Sequence, residues 1–416
     1  MMQKYNPKVF QRYFERNDLF FHPVFDNQPD VFVVIPVLDD EDIFQTIDCL
    51  CRCSHEEGNA GVVIVVNHDE AAPAGIKEAN RLLGERLRAY TATRQCAAFH
   101  FQVVEAFDLP VKVAGVGLAR KIGMDGAAWW LWQHGKADAP VLSLDADTWV
   151  EPNYTDATCR FFRRHAVAAV SLAYAHRLAE CEGAALDAMV KYELYLRYYR
   201  AALKYAGHPH AFSTIGSAFA VRAGDYVAEG GMNKRQAGED FYFIQKLIDT
   251  GRYADLTDTR VYPSPRFSER TPFGTGQALR QIIKAGGVFP VYCWQSFYDL
   301  RLFLDGVGGL YRAGEKEICD YIAGQAQGMK AYLLSTGVPD IFKEVNANCS
   351  TADQFKKRFF SRFNAFRVLK YLNFVHASYY GKEDIVTATD GLFHALGYPA
   401  LQTLSEKLYF LRTHPD

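Results

Sequence analysis

The stretch Val141-Leu-Ser-Leu-Asp145-Ala-Asp147 organises the reading of this chain. A short apolar run has the length of a buried strand, and two carboxylates two residues apart stand just past its end. A strand that is apolar on both faces belongs to a sheet covered on both sides. In open α/β sheets, ligands bind outside the carboxyl ends of such strands, so Asp145 and Asp147 are placed at a ligand edge. Carboxylate oxygens suit a hard divalent ion, Mn2+ or Mg2+, that shares its coordination with phosphate oxygens and water. An ordinary acidic turn has the same two residues, so the motif acquires meaning only from its surroundings.

Working outward, short β-branched runs alternate with longer helical stretches. Val31–Ile35, Gly61–Val66 and Phe99–Glu105 read as strands preceding Val141–Leu144, with helices over Glu41–Cys53, Ala74–Tyr90 and Leu118–His134. Alternation of this kind predicts an α/β fold whose mostly parallel sheet is flanked by helices. A helix over Ala184–Tyr205 then interrupts the pattern; its tyrosines (Tyr192, Tyr195, Tyr198, Tyr199, Tyr205) are expected to form a packing face rather than the wall of a groove. Next come a run over Phe212–Val221, a helix over Asp240–Thr250 and a short strand near Arg260. Phe297–His414 reads as mainly helical, which puts a soft boundary near residue 290: a sheet domain over 1–290 and a helical region over 291–416. No internal repeat or low-complexity segment is present.

Composition bounds the partners. With 49% hydrophobic and 23% charged residues, the 416-residue chain has the balance of a folded globular protein. A formal net charge of -2 supplies no overall basic field for nucleic acid or an anionic membrane. No run approaches the ~20 apolar residues that cross a bilayer. Pro7–Phe21, with Phe10, Tyr13, Phe14 and Leu19, is expected to pack as an amphipathic helix on the main domain rather than on a membrane surface. Nine cysteines and no evident secretory signal point to reduced thiols and a cytoplasmic location. Cys49, Cys51 and Cys53 lack the paired spacing of a zinc site and are expected to be buried helix residues.

Three further segments carry candidate chemistry. Ala114-Gly-Val-Gly117-Leu-Ala-Arg120-Lys-Ile-Gly123-Met-Asp-Gly126 opens a helix with glycines that let backbone amides approach phosphates, or let helix and sheet pack closely. Gly216-Ser-Ala-Phe, Gly230-Gly231-Met232 and Gly238-Glu239-Asp240 lead to a pair of acids at a helix start. Such acids serve either as helix-capping charges or as a base that deprotonates a hydroxyl. Finally, Arg266, Ser268 and Arg270, followed by Gly274 and Gly276, suit a lid that closes over phosphates, or a solvated loop. His176 is expected to be structural rather than a ligand.

The order of these elements resembles the GT-A fold of nucleotide-diphospho-sugar transferases, and family 2 glycosyltransferases in particular. The resemblance rests on Ile35-Pro36, on Asn67-His68-Asp69 where the family usually has Asp-Asp, on Gly115 to Gly123 with Lys121 in place of an Asn, on Asp145-Ala-Asp147, on Gly230-Gly231-Met232 and on Glu239-Asp240, and it spans about residues 31–260. It implies a metal-dependent transfer of a sugar from a UDP- or GDP-linked donor to a hydroxyl acceptor. Pro36 and Asn67 would line the nucleobase and ribose pocket. Asp145 would touch the ribose or the metal, Asp147 would ligate the metal, and Arg120 would contact the sugar or its phosphates. Asp240 would be the base of an inverting displacement, with Glu239 its competitor, and the helical region would bear on the acceptor. Two departures matter. Asn67 replaces an acid that reads the base, leaving the nucleobase open, and Asp39-Asp40 replaces the usual Asn-Glu. A nucleotidyltransferase on a related fold, or a glycan-binding scaffold with a degenerate transferase domain, are the alternatives. The first lacks its glycine- and arginine-rich loop after Pro36, and the second is disfavoured by the retained acids.

Overall fold

A computed structural model describes residues 5–96, 98–233, 238–266 and 274–414. The chain divides into two compact units, residues 1–177 with 214–277, and residues 178–213 with 278–416.

The first unit is built on a sheet of eight strands: β1 (Val31–Val37), β2 (Ala60–Asp69), β3 (Phe99–Leu109), β4 (Pro140–Ser143), β5 (Trp149–Val150), β6 (Ala169–Tyr174), β7 (Phe219–Arg222) and β8 (Tyr253–Tyr262). Their order is β3-β2-β1-β4-β7-β6-β8-β5. Strands β1 to β4 are mutually parallel, and β6 runs parallel to β8. Strand β7 is antiparallel to both β4 and β6, and β5 to β8. The sheet is thus an α/β sheet, largely parallel as the alternation of strands and helices predicts, with two reversed strands. Every residue of β1 is buried, which is why its sequence is apolar without alternation. From β1 the chain moves outward to β2 and β3, then returns to place β4 on the other side of β1. That reversal opens a crevice beyond the carboxyl ends of β1 and β4, where ligands bind in such sheets.

Helices α1 (Pro7–Arg16), α2 (Ile43–Cys51), α3 (Ala74–Ala92), α4 (Val116–Gln133) and α5 (Tyr154–Arg164) cover this sheet, together with α7 (Ala223–Ala228) and α8 (Glu239–Asp249); α6 (Gly183–Tyr205) belongs to the second unit. Helix α4 lies so close to β1 that a Cβ on Gly123 would overlap Val34 Cγ1 and come within 3.3 Å of Val65 Cγ2. A Cβ on Gly126 would meet Phe21 at 2.6 Å. These two glycines therefore serve close packing, whereas Gly115, at φ 140°, turns the chain into the helix. The N-terminal helix packs on this unit as expected. Phe10 stacks on Trp132 at 5.2 Å, and the Tyr13 hydroxyl donates to Asp125 Oδ1 (2.7 Å) and accepts from Lys121 Nζ (2.6 Å). Lys121, the departure from the resemblance, is thus buried in an ion pair with Asp125 at 2.8 Å. Of the three clustered cysteines, Cys49 and Cys53 are buried but Cys51 is exposed, which corrects the expectation: α2 is amphipathic, and its last residue turns to the outer face.

The second unit is helical, comprising α6, α9 (Thr275–Lys284), α10 (Trp294–Gly306), α11 (Glu315–Ala323), α12 (Gln327–Ser335), α13 (Val338–Ala347), α14 (Ala352–Arg362), α15 (Ala365–Ser378), α16 (Ile385–Leu396) and α17 (Leu404–Thr413), with a two-residue ladder of β9 (Pro290–Val291) and β10 (Glu383–Asp384). The division after Gln277 lies upstream of the expected boundary near residue 290. Residues 178–213 join the helical unit because α6 contributes Leu194, Tyr198 and Ala202 to its core. The tyrosines of α6 form a packing face: Tyr198 and Tyr199 meet Phe297 edge-on at 5.7 and 5.9 Å, and Tyr195 meets Phe289 at 5.4 Å. The fully buried Glu193 is held by Arg197 at 2.8 Å and by Arg412 of α17 at 2.6 Å, which fastens the C-terminal helix to α6. No helix among the described residues is long and apolar enough to cross a membrane.

Candidate functional site

The carboxyl ends of β1 and β2 are braced to one another by amides. Asn67, buried on β2, donates from Nδ2 to the Val37 carbonyl at 2.8 Å. Asn80 on α3, also buried, donates from Nδ2 to the Asn67 carbonyl (3.1 Å), and its Oδ1 accepts the Asp39 N–H (2.8 Å). Asp39 adopts φ 45°, a left-handed conformation that Asp tolerates better than most residues. This turn brings Asp40 inward, where it is buried. Pro36 is buried within β1. Both residues expected to line a base pocket therefore stand at the crevice edge, but the side-chain N–H of Asn67 already serves the backbone of β1.

The Asp145–Thr148 turn is clamped from three sides. The Leu144 N–H prolongs the pairing of β4 with β1 by donating to the Val34 carbonyl (3.1 Å), and the Thr148 N–H closes the turn onto the Asp145 carbonyl (3.2 Å). Thr46 Oγ1 on α2 donates to the Ala146 carbonyl at 2.8 Å. Arg177 lies over the Trp149 ring (4.1 Å) and donates from Nη1 to the carbonyls of Asp147 (3.1 Å) and Tyr262 (2.9 Å). With the backbone fixed, the carboxylates of Asp145 and Asp147 diverge towards different arginines.

Arg120 receives the first. Its guanidinium, almost fully buried on α4, donates from Nη2 to Asp145 Oδ1 at 2.7 Å and from Nη1 to Glu239 Oε1 at the start of α8. One cation thereby ties the loop after β4 to the acidic pair, across residues far apart in sequence. Glu239 is buried and committed to Arg120, whereas Asp240 keeps partial exposure and accepts the N–H of Phe241 on Oδ1 at 2.7 Å. Burial raises the pKa of both acids above the ordinary carboxylate range, and Arg120 opposes that rise. A Cβ on Gly216 would lie 2.9 Å from Asp240 Oδ2 and 3.1 Å from Arg120 Nη2, so a glycine here keeps the approach to both groups open. Gly230 and Gly231 take φ of 79° and 69°, and the buried Met232 follows them.

Arg266 receives the second. Its Nε lies 2.9 Å from Asp147 Oδ2, Nη1 reaches Asp40 Oδ1 (2.8 Å) and Asp42 Oδ2 (3.0 Å), and Nη2 also contacts Asp40. Burial, reinforced by the nearby charges of Asp145 and Asp40 against the pull of Arg266, pushes the Asp147 carboxyl up to about 7. Ser268 and Arg270, the other expected lid residues, lie outside the described residues. His176 is buried beside the Tyr174 ring, with centroids 6.1 Å apart.

These residues suit a divalent ion in a specific way. Among the described residues no three His, Cys, Asp or Glu side chains converge as a preformed cage. Carboxylate is nonetheless in clear excess over guanidinium around the crevice, and Asp145 and Asp147 offer oxygen donors alone. One or two carboxylates completed by substrate phosphates and water is the usual protein contribution to Mg2+ binding. Asp40, Asp42 and Asn80 were not singled out by motif. Asp40 was visible only as a departure from the resemblance, and Asn80 lies mid-helix with no local signal.

Residues 141–314, somewhat under half of the chain, match the model of glycosyl transferase family group 2. No curated protein sequence matches. Among solved structures, TarS 1-349 of S. aureus in complex with UDP-GlcNAc aligns at 12% identity and TM-score 0.41, over 80% of this chain and 91% of that one. The mannosyltransferase PcManGT of Pyrobaculum calidifontis, in complex with GDP-Man and Mn2+, aligns at 15% identity and TM-score 0.37, over 86% and 93%. The matched segment begins on the strand that delivers Asp145 and Asp147 and includes Glu239 and Asp240, so this part of the chain is similar to glycosyl transferase family group 2.

Proposed function

We propose that the protein transfers a hexosyl group from a UDP- or GDP-linked donor to a hydroxyl acceptor, with inversion and with Mn2+ or Mg2+ as cofactor. The observation that carries this reading is the joining of Asp145 to Glu239-Asp240 through one buried arginine at the crevice of the sheet. Pro36 and Asn67 border the nucleoside pocket. Asp147, with Asp145, holds the divalent ion. A bound ion supplies Lewis-acid stabilisation of the diphosphate as its charge develops. Arg120 orients Asp145 and Glu239, and this positioning role replaces the direct donor contact that the resemblance implies. Arg266, with Ser268 and Arg270, meets the diphosphate.

Asp240 takes the acceptor proton. It is favoured over Glu239 because Glu239 is buried against Arg120, while Asp240 is partly exposed and has its Oδ2 beside Gly216. A raised pKa suits the role, since a base works best when its pKa approaches the operating pH. In a single displacement the acceptor oxygen attacks opposite the diphosphate, so one carboxylate near that oxygen suffices. Acceptor choice is assigned to the helical region, and the cytoplasm is the proposed location.

The test is a thermal-shift screen of UDP- and GDP-linked hexoses with Mn2+ present, since a ligand that binds only the folded state raises its apparent stability. One donor is expected to stabilise the wild-type protein, and Asp147→Ala is expected to remove that effect without unfolding the chain. Equal stabilisation of both proteins would overturn the metal-site assignment.

A further inference from the structure

The guanidinium of Arg266 sits where a cation is wanted. It is shared by three carboxylates from two separate segments, Asp40 and Asp42 after β1 and Asp147 after β4. We propose that Arg266 is an internal counter-cation that occupies the divalent-ion position at Asp147, so that metal binding and the Arg266 contacts exclude one another. The inference rests on the reading of Asp147 as a metal ligand and adds an exchange step to it.

The geometry favours an exchangeable contact over a permanent bridge. Towards Asp40 the guanidinium makes directed hydrogen bonds through both terminal nitrogens. Towards Asp147 it presents Nε, which is 2.9 Å from Oδ2 yet is buried without a hydrogen bond of acceptable geometry. The Asp147 contact is therefore one of proximity and charge, while Asp40 is the anchor. Arg120 differs: it is almost fully buried and bonded to Asp145 and Glu239 on two nitrogens, whereas the Arg266 side chain is 30% exposed. A partly exposed arginine has somewhere to go when a doubly charged ion takes its place. On leaving Asp147 it remains within reach of the same crevice, where planar guanidinium groups pair well with phosphate oxygens. The cost of exposing an acidic cluster before substrate arrives is thereby avoided: Asp40, Asp42 and Asp147 are neutralised in part by Arg266 until metal and diphosphate enter.

The experiment is a titration of the full chain with Mn2+ alone at pH 8, free and bound ion being distinguished by electron paramagnetic resonance. Wild type, Arg266→Gln, Arg266→Lys and Asp147→Asn are compared. With one fewer positive charge at contact distance, Arg266→Gln is expected to bind Mn2+ at least about tenfold more tightly than wild type. Arg266→Lys retains the charge and is expected to stay within about threefold of wild type, and Asp147→Asn is expected to lose the site. Unchanged or weaker Mn2+ affinity in Arg266→Gln, with Asp147→Asn still defective, overturns the exchange while leaving the metal ligand in place. Failure of every protein to bind Mn2+, with UDP or GDP added or not, overturns both.

Discussion

Replacing Arg120 by Met tests whether a single buried cation organises the site. The substitution keeps an unbranched apolar stem in the helix but leaves Glu239 buried and unpaired, and removes the partner of Asp145. Breaking a buried ion pair from one side costs about 3–5 kcal/mol, because the remaining charge has lost its compensation. For a unit of this size each kcal/mol moves the melting temperature by about 2–4 °C, so a fall of about 6–20 °C is expected. Tryptophan fluorescence is a suitable probe, since Trp129, Trp130, Trp132 and Trp149 lie in the first unit and only Trp294 in the second. Adding Glu239→Gln to Arg120→Met removes the orphaned charge, and is expected to restore part of the loss as a coupling of about 1–3 kcal/mol. Arg120 also opposes the upward shift of Asp240, so its removal is expected to move the acidic limb of the rate profile to higher pH. A loss below about 1 kcal/mol, additive with Glu239→Gln, would refute the keystone role of this arginine.

Asp240→Asn is expected to lower turnover by about 10²–10⁴-fold with donor binding intact, as befits a lost general base; Glu239→Gln run beside it, with donor affinity measured by calorimetry, shows whether the assignment should be exchanged. His208 offers a pH test of the helical unit. Its Nε2 donates to the Phe363 carbonyl (2.9 Å) and Nδ1 accepts the His210 N–H (3.2 Å), so only the neutral ring fits, and burial pulls its pKa down to about 3. A folded pKa below the unfolded value means stability that is complete above about pH 6.5 and is lost as pH falls towards the folded value, amounting to about 2 kcal/mol at pH 5; urea titrations of His208→Gln are expected to show a flatter dependence, and an unchanged slope would exclude His208 as the cause. Gly123→Ala is expected to destabilise the first unit by about 1–3 kcal/mol through overpacking against Val34 and Val65, and a neutral effect in thermal melts would contradict the close approach of α4 to the sheet.

Much of the first unit was legible because its determinants are local. Val31–Val37 and Ala60–Val66 are apolar throughout, and that pattern has few solutions other than buried parallel strands. The reversal of β7 was not legible, since a buried four-residue strand reads the same in either direction. The membership of α6 in the helical unit was equally hidden: its tyrosines announce an aromatic face but not the core that receives it. At the site, Asp145, Asp147, Glu239 and Asp240 stood out by position relative to strands and glycines. What periodicity cannot encode is pairing between separate segments, such as Asp40 with Arg266, 226 positions apart, or Arg120 with Asp145 and Glu239, 25 and 119 positions away. Asn80 shows the same limit, because a polar residue in mid-helix acquires its role only when the turn at Asp39 comes to meet it.

The central claim is nucleotide-sugar chemistry at this crevice, and its most direct measurement needs no acceptor. Each UDP- and GDP-linked hexose is incubated with the purified protein and Mn2+, and its products are followed by phosphorus NMR. Slow release of UDP or GDP from one donor is predicted, dependent on Mn2+ and abolished by Asp147→Asn. Donors that remain intact across the panel, or that yield a sugar 1-phosphate with a nucleoside monophosphate, would contradict the assignment of glycosyl transfer to this site.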